Sequence, residues 1–234
     1  MGNIFDFKRF SVNQEGCAMR INTDGVLLGA FAQKNSARNI LDIGTGTGVI
    51  ALMLAQKYED SQVWAVEIDK LASIRAEENF KSSLFKDRMS IINSDIFQWH
   101  TDLKFDLIVS NPPFYINSLH NPDQRKKVAK HTDSDFFKGL MQFSAQHLME
   151  DGKLQIVVPI ELSDFLINEA VSNGLNLTHV INIQSFKDSD PFRSILSFKK
   201  DTSNQIKETF ILYQDQSVYS DAYKSLLKPY FLAF

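Results

Sequence analysis

The chain has 234 residues, with 25 basic against 28 acidic side chains for a net charge of −3. That balance excludes a histone-like or non-specific nucleic-acid coat, though an RNA substrate needs only a local basic patch. One cysteine, Cys17, excludes an internal disulfide and a cysteine-rich zinc site, and the five histidines lack metal-ligand spacing.

The longest wholly apolar run, Val49 to Ala55, is far below the roughly 20 residues that cross a bilayer. The N-terminus does not read as a signal peptide, and in "MGNIFD" Asp6 stands where acylation requires Ser or Thr. A soluble cytoplasmic protein is expected, with no membrane partner and no metal.

"FDFKRFSVNQ" (residues 5–14) alternates apolar and polar positions, which suggests a short strand or hairpin. From Thr23, "TDGVLLGAFAQK" turns helical, with Thr23 or Asp24 as the cap. Strand "NILDIG" then precedes helix "GVIALMLAQKY", and strand "QVWAVEID" precedes helix "KLASIRAEENFKSS". Strands "MSIINSD" and "FDLIVSNPP" follow. Helix "SDFFKGLMQFSAQHLM", strand "GKLQIVVPI" and helix "LSDFLINEAVSNG" come next. Leu175 to about Tyr213 reads as antiparallel strands, and Ser220 to Leu227 as a short helix. The expected organisation is one domain over 1–234. It divides into an N-terminal extension (1–35), a cofactor-binding core (36–184), and C-terminal strands with a short helix (185–234).

Strands alternating with helices imply a parallel sheet covered on both faces, and such sheets bind ligands beyond the carboxyl ends of their strands. Polar residues stand at those ends. After the first core strand come Asp42, Gly44, Thr45, Gly46 and Gly48, a turn that lets backbone approach a ligand closely. Glu67 lies nineteen residues beyond Gly48, about the separation at which an acid meets a nucleoside ribose. Asp95 follows the third strand, placed to accept from an exocyclic amine. Alone, the glycines could be a tight turn and each acid a helix cap. Together they indicate a nucleoside-containing cofactor. The G-x-G-x-G spacing differs from the G-x-G-x-x-G of dinucleotide sites, which disfavours an NAD-dependent dehydrogenase.

The fourth strand runs into "SNPPFY". Pro112 and Pro113 stop the ladder, leaving a stiff loop that carries Asn111, Phe114 and Tyr115. "DIGTGTG", Glu67, Asp95 and "NPPF" together resemble the class I S-adenosylmethionine-dependent methyltransferases that act on amino groups. The resemblance implies a Rossmann-like α/β fold, a mostly parallel seven-stranded sheet flanked by helices, with a short N-terminal extension. It places the glycine loop under the methionine part of S-adenosylmethionine, Glu67 on the ribose hydroxyls and Asp95 at the adenine. Asp69 remains an alternative ribose ligand.

The amide suits that chemistry. An exocyclic amine on an aromatic base has its lone pair delocalised into the ring and must have it redirected toward the methyl carbon. The Asn111 side-chain oxygen and the Pro112 carbonyl are the candidate acceptors for its two N–H protons, held stiff by proline. Phe114 is the candidate stacking platform for the base, with Tyr115 as the alternative and Pro113 beside them.

Three N-terminal segments narrow the family. Phe5, Phe7, Lys8 and Phe10, then Cys17 to Arg20, then Thr23 to Gly29 resemble the bacterial tRNA1(Val) adenine-N6 methyltransferase family. That likeness implies a tRNA substrate methylated just 3′ of the anticodon. Arg125, Lys126, Lys127 and Lys130 in "NPDQRKKVAKH" are the candidate phosphate contacts, expected in a flexible loop, with Lys8, Arg9 and Arg20 as candidate extensions. A monomer is expected. Rival readings are methylation of ribosomal RNA guanine N2, DNA adenine N6 or a protein glutamine, and a non-catalytic RNA-binding protein of the same fold.

Overall fold

Strands without polar alternation need cover on both faces, and the eight-stranded sheet at the centre of this molecule has it. The computed structural model describes residues 3–113, 122–202 and 204–234, with backbone alone for 122–133. In chain order the sheet comprises β3 (Asn39–Ile43), β4 (Gln62–Glu67), β5 (Met89–Asn93), β6 (Phe105–Ser110), β7 (Leu148–Pro159), β8 (Asn176–Gln184), β9 (Pro191–Lys199) and β10 (Ile206–Ile211). Their spatial order is β10-β8-β9-β7-β6-β3-β4-β5. All neighbours run parallel except β9, which is antiparallel to both β7 and β8.

Successive residues feed opposite cores. Ile40, Leu107, Val109 and Ile181 face a layer containing helices α1 (Thr23–Phe31), α2 (Val49–Lys57), α3 (Lys70–Ser82) and α6 (Asp221–Leu227). Leu41, Ile108, Ile156 and Leu196 face α4 (Pro122–His147) and α5 (Ser163–Ser172). The period-2 geometry of a strand thus accounts for continuous apolar runs. Before the sheet, β1 (Ile4–Asp6) and β2 (Ser11–Asn13) form the expected antiparallel hairpin. After it, β11 (Tyr213–Asp215) pairs with β12 (Val218–Tyr219).

Four expectations are corrected. The sheet has eight strands, not seven. The strands beyond Leu175 are not all antiparallel, since β10 runs parallel to β8. Both edges of β9 are filled by β7 and β8, so the chain leaving β9 pairs at the nearby free edge of β8. The short connection 200–205 turns it back, and a strand antiparallel in course to β9 is parallel to β8. Helix α1 is capped by Asn22, not Thr23 or Asp24; Asn22 is extended (φ −132°) and its side chain accepts from the Gly25 N–H. Finally, residues 122–133 belong to helix α4 and not to a loop. Pro122 suits the first helical position, Asp123 favours the first turn, and Gln, Arg, Lys and Ala propagate a helix.

Candidate active site

The glycine turn between β3 and α2 is left-handed at Gly44 (φ +70°), Gly46 (+58°) and Gly48 (+89°), a conformation that side chains disfavour. The three glycines have different surroundings. A Cβ on Gly44 or Gly46 would meet nothing within 4 Å, so both face open space. A Cβ on Gly48 would lie 2.4 Å from the Phe80 ring, so this glycine admits α3 against α2. The Gly44 and Thr45 N–H groups donate to the Val66 carbonyl at 2.9 and 3.2 Å, fixing the turn to β4.

Beneath the turn lies Asp42, fully buried. Its Oδ2 accepts from the Thr45 hydroxyl at 2.6 Å and the Ala51 N–H at 3.1 Å. Its Oδ1 is buried without a partner. Burial pushes the carboxyl up to about 7, against the downward pull of Thr45 and Ala51 and with a small upward push from Glu67. A carboxyl raised above its usual 3.8 contributes stability below about pH 4 that is lost as pH rises through about 7. Asp42→Asn should therefore gain more in melting temperature, relative to wild type, at pH 8 than at pH 5. An equal difference at both pH values would contradict this environment.

Glu67, at the end of β4, is buried, and each carboxylate oxygen already holds one backbone donor. Oε2 accepts from the Gly46 N–H and Oε1 from the Asp69 N–H, both at 2.8 Å. Each oxygen keeps a further lone pair for a hydroxyl. Asp69 is occupied otherwise, as the N-cap of α3 accepting from the Ala72 N–H at 2.7 Å. Asp95, half-buried after β5, turns one oxygen onto the Phe97 N–H at 3.0 Å. Asn111 follows β6, half-buried, with Pro112 buried and Pro113 exposed. Phe114 and Tyr115 lie outside the described residues. Arg125, Lys126, Lys127 and Lys130 lie on α4, and their side chains are likewise outside the description. Asn111, the glycine turn, Glu67 and Asp95 thus mark the ends of four adjacent strands, β6-β3-β4-β5. At about 4.8 Å per strand this row spans about 14 Å.

Sequence reasoning missed what closes the row. The buried Asn79 of α3 donates to the Thr47 and Asn13 carbonyls (2.9 and 3.0 Å) and accepts from the Asn13 N–H (2.9 Å), tying hairpin β1–β2 to the glycine turn. Its signal was an Asn at a helical-period apolar position beside Ala72, Ala76 and Phe80. The segment after β2 crosses the start of α3. Gln14 accepts from the Ile21 N–H at 2.8 Å, a Cβ on Gly16 would touch Leu71 at 3.4 Å, and the Cys17 thiol feels the charges of Arg75, Asp69 and Glu67.

Helix α1 then begins against Asn111. The site for a Cβ on Gly25 lies in van der Waals contact with Asn111 Nδ2 (3.4 Å) and Asn22 Oδ1 (3.5 Å), so anything larger than a methyl there would press on the amide. Arg193 of β9 steadies the same turn by donating to Asp24 at 2.8 Å. Two of the suggested basic extensions are not brought to the row. Lys8 donates to the Lys228 and Phe234 carbonyls, and Arg9 pairs with Glu59 at the amino edge of the sheet.

These residues fit the S-adenosylmethionine that the resemblance implies. Gly44 and Gly46 offer an open cradle, and the unpartnered Asp42 oxygen suits a cationic or N–H donor. Among the described residues no cluster of three or more His, Cys, Asp or Glu side chains could hold a metal, and no helix is long and apolar enough to cross a membrane.

The model of the methyltransferase small domain matches residues 19–178. The chain is 45% identical to the tRNA1(Val) (adenine(37)-N6)-methyltransferase of Pedobacter heparinus, over 100% of each chain. It is 39% identical to that of Bacteroides thetaiotaomicron, over 97% of each. Among solved structures it superposes on a predicted O-methyltransferase of Agrobacterium tumefaciens with a TM-score of 0.70. The two share 16% identity, and the match covers 88% of this chain and 96% of the other. That likeness establishes the fold, a Rossmann-like class I methyltransferase sheet.

Proposed function

The chain belongs to the tRNA1(Val) (adenine(37)-N6)-methyltransferase family, and on that premise we propose that Asn111 and Pro112 hold the target amine and Phe114 its base. The protein is an S-adenosylmethionine-dependent methyltransferase acting on the exocyclic N6 of adenine in tRNA. The adenosine is the one just 3′ of the anticodon of tRNA1(Val). The observation that carries the site assignment is the position of Asn111, one strand from the open glycine turn and at the same edge of the sheet.

When bound, S-adenosylmethionine supplies the methyl group. The chain supplies geometry and electrostatics. The Asn111 oxygen and the Pro112 carbonyl accept the two amine protons, which favours a pyramidal nitrogen and stabilises the positive charge developing there. Proline stiffness on one side and the capped start of α1 on the other preorganise the amide. No strong base is required, because the proton can leave to water after transfer. Gly44, Thr45, Gly46 and Asp42 receive the methionine end of the cofactor, Glu67 the ribose and Asp95 the adenine. Gly48 acts behind them by packing. Pro113, Phe114 and Tyr115 line the base side. The molecule works as a cytoplasmic monomer, in one domain over 1–234.

The phosphate contacts of this reading are Arg125, Lys126, Lys127 and Lys130, whose backbone belongs to α4. Reversing charge at Lys126 and Lys127 should weaken tRNA binding and flatten its salt dependence by about one unit per lost contact, with cofactor affinity intact. Unchanged tRNA affinity would refute the patch. The activity itself is tested by nucleoside mass spectrometry after incubation with labelled cofactor and total tRNA. N6-methyladenosine is the expected product. N2-methylguanosine would point to guanine as the substrate, and no labelled nucleoside would support the non-catalytic reading.

A further inference from the structure

The carboxyl edge of the sheet continues past the active-site row into a group of aromatic rings that the reaction does not use. Strand β8 ends in Gln184, and β10 leads into Tyr213, so both deliver their next residues to the edge that holds Asn111. Tyr213, Tyr219 and Tyr223 stack in series, with centroids 5.1 and 4.3 Å apart and planes within 20° and 8°. Tyr223 is buried and anchors the stack. Facing its outer end, Phe186 stands 5.7 Å from Tyr213 and tilts by 37°, opening a cleft of about 410 Å³ lined by Phe186, Tyr213, Ser217 and Tyr219. Phe186 keeps 41% of its surface exposed and offers a ring face to a ligand, while Tyr219, stacked between Tyr213 and Tyr223, supports the cleft wall.

The cleft is held in shape. The Gln184 amide donates to the Phe186 and Lys187 carbonyls at 2.9 and 2.8 Å, and the Phe186 N–H donates to the Ser189 hydroxyl at 2.9 Å. An exposed aromatic on a pinned backbone loses little freedom on binding, which is what a recognition platform requires.

We propose that this cleft stacks an unpaired base of the substrate tRNA, next to but distinct from the base that is methylated; the proposal rests on the tRNA reading above. Single-stranded bases are bound by stacking on aromatic faces, at about 1–3 kcal/mol each. The location fits. From the end of β6 to the end of β8 are three strand spacings in the order β6-β7-β9-β8, or about 14 Å. That is about four nucleotides at a stacked rise of ~3.4 Å, a reach within one loop of RNA. The local charge identifies the mode of contact. Lys187 has Asp188 and Asp190 beside it in the chain, and Asp215 lies between the cleft residues Tyr213 and Ser217, so the cleft is no phosphate track and its grip is on base faces.

The test is equilibrium binding of labelled tRNA1(Val) transcript to the full chain across a salt series, without turnover. Phe186→Ala should raise Kd about 5- to 100-fold at each salt concentration, leave the salt slope and S-adenosylmethionine affinity unchanged, and be rescued by Phe186→Trp. Tyr219→Ala should act in the same direction. Phe186 is exposed, so its variant does not endanger the fold. Wild-type affinity in Phe186→Ala overturns the proposal and leaves the cleft as a protein-docking surface. A loss accompanied by a shallower salt slope overturns it too, since that reports phosphate contacts. Absence of methylation by the wild type would defeat the proposed activity, while the binding series would still judge the cleft.

Discussion

Replacing Asn111 by alanine should lower single-turnover methylation about 10²- to 10³-fold while cofactor and tRNA continue to bind. The loss is expected in kcat, because the amide oxygen gains strength only as positive charge develops on the amine nitrogen. On the proposed assignment, ground-state binding falls to the glycine turn, Glu67 and the RNA-facing surfaces. Asn111→Asp keeps an acceptor at the same place and should recover part of the rate. Crowding the same amide from behind provides an independent check. A side chain at Gly25 would meet Asn111 Nδ2 at 3.4 Å, so Gly25→Val should mimic part of the defect without touching the substrate. Near-wild-type turnover in Asn111→Ala would refute the assignment.

The candidate site was legible in the sequence to the extent that Asn111, the glycine turn, Glu67 and Asp95 each stand where a strand ends. Buried parallel strands are apolar throughout, so "NILDI", "QVWAVE" and "FDLIVS" declare their boundaries by the polar residues and prolines that follow. Edge and helix-start features were less visible. Four of the six residues of β10 are exposed, so no buried stripe marked it or its direction. Its place follows from β9 having no free edge, a tertiary fact. The basic run 125–130 looked like a loop because charge dominates its composition, yet Pro122 and Asp123 before it are helix-start residues. Asn79 joins segments distant in the chain, the β1–β2 hairpin and the glycine turn; its spacing on α3 marks it as buried but does not reveal those partners.

The glycine turn shows why a motif is less informative than its surroundings, and it yields the second large effect. Gly44, Gly46 and Gly48 look equivalent in "GTGTG", but only Gly48 is blocked, by a Phe80 ring that is itself buried and cannot swing away. Gly48→Ala must accept a strained φ of +89° and displace that ring. Strain and overpacking together should cost about 2–4 kcal/mol, lowering the melting temperature by roughly 4–16 °C for a chain of this size. Gly46→Ala carries the same kind of backbone strain into open space, so it should lose less stability. Its methyl group would occupy the cradle, and its main loss should be in S-adenosylmethionine affinity. The two substitutions therefore separate stability from cofactor binding within one turn. Thermal melts with and without cofactor measure both. If Gly48→Ala melts like wild type, or if the two variants lose stability equally, the assignment of Gly48 to helix packing and Gly46 to the cofactor fails.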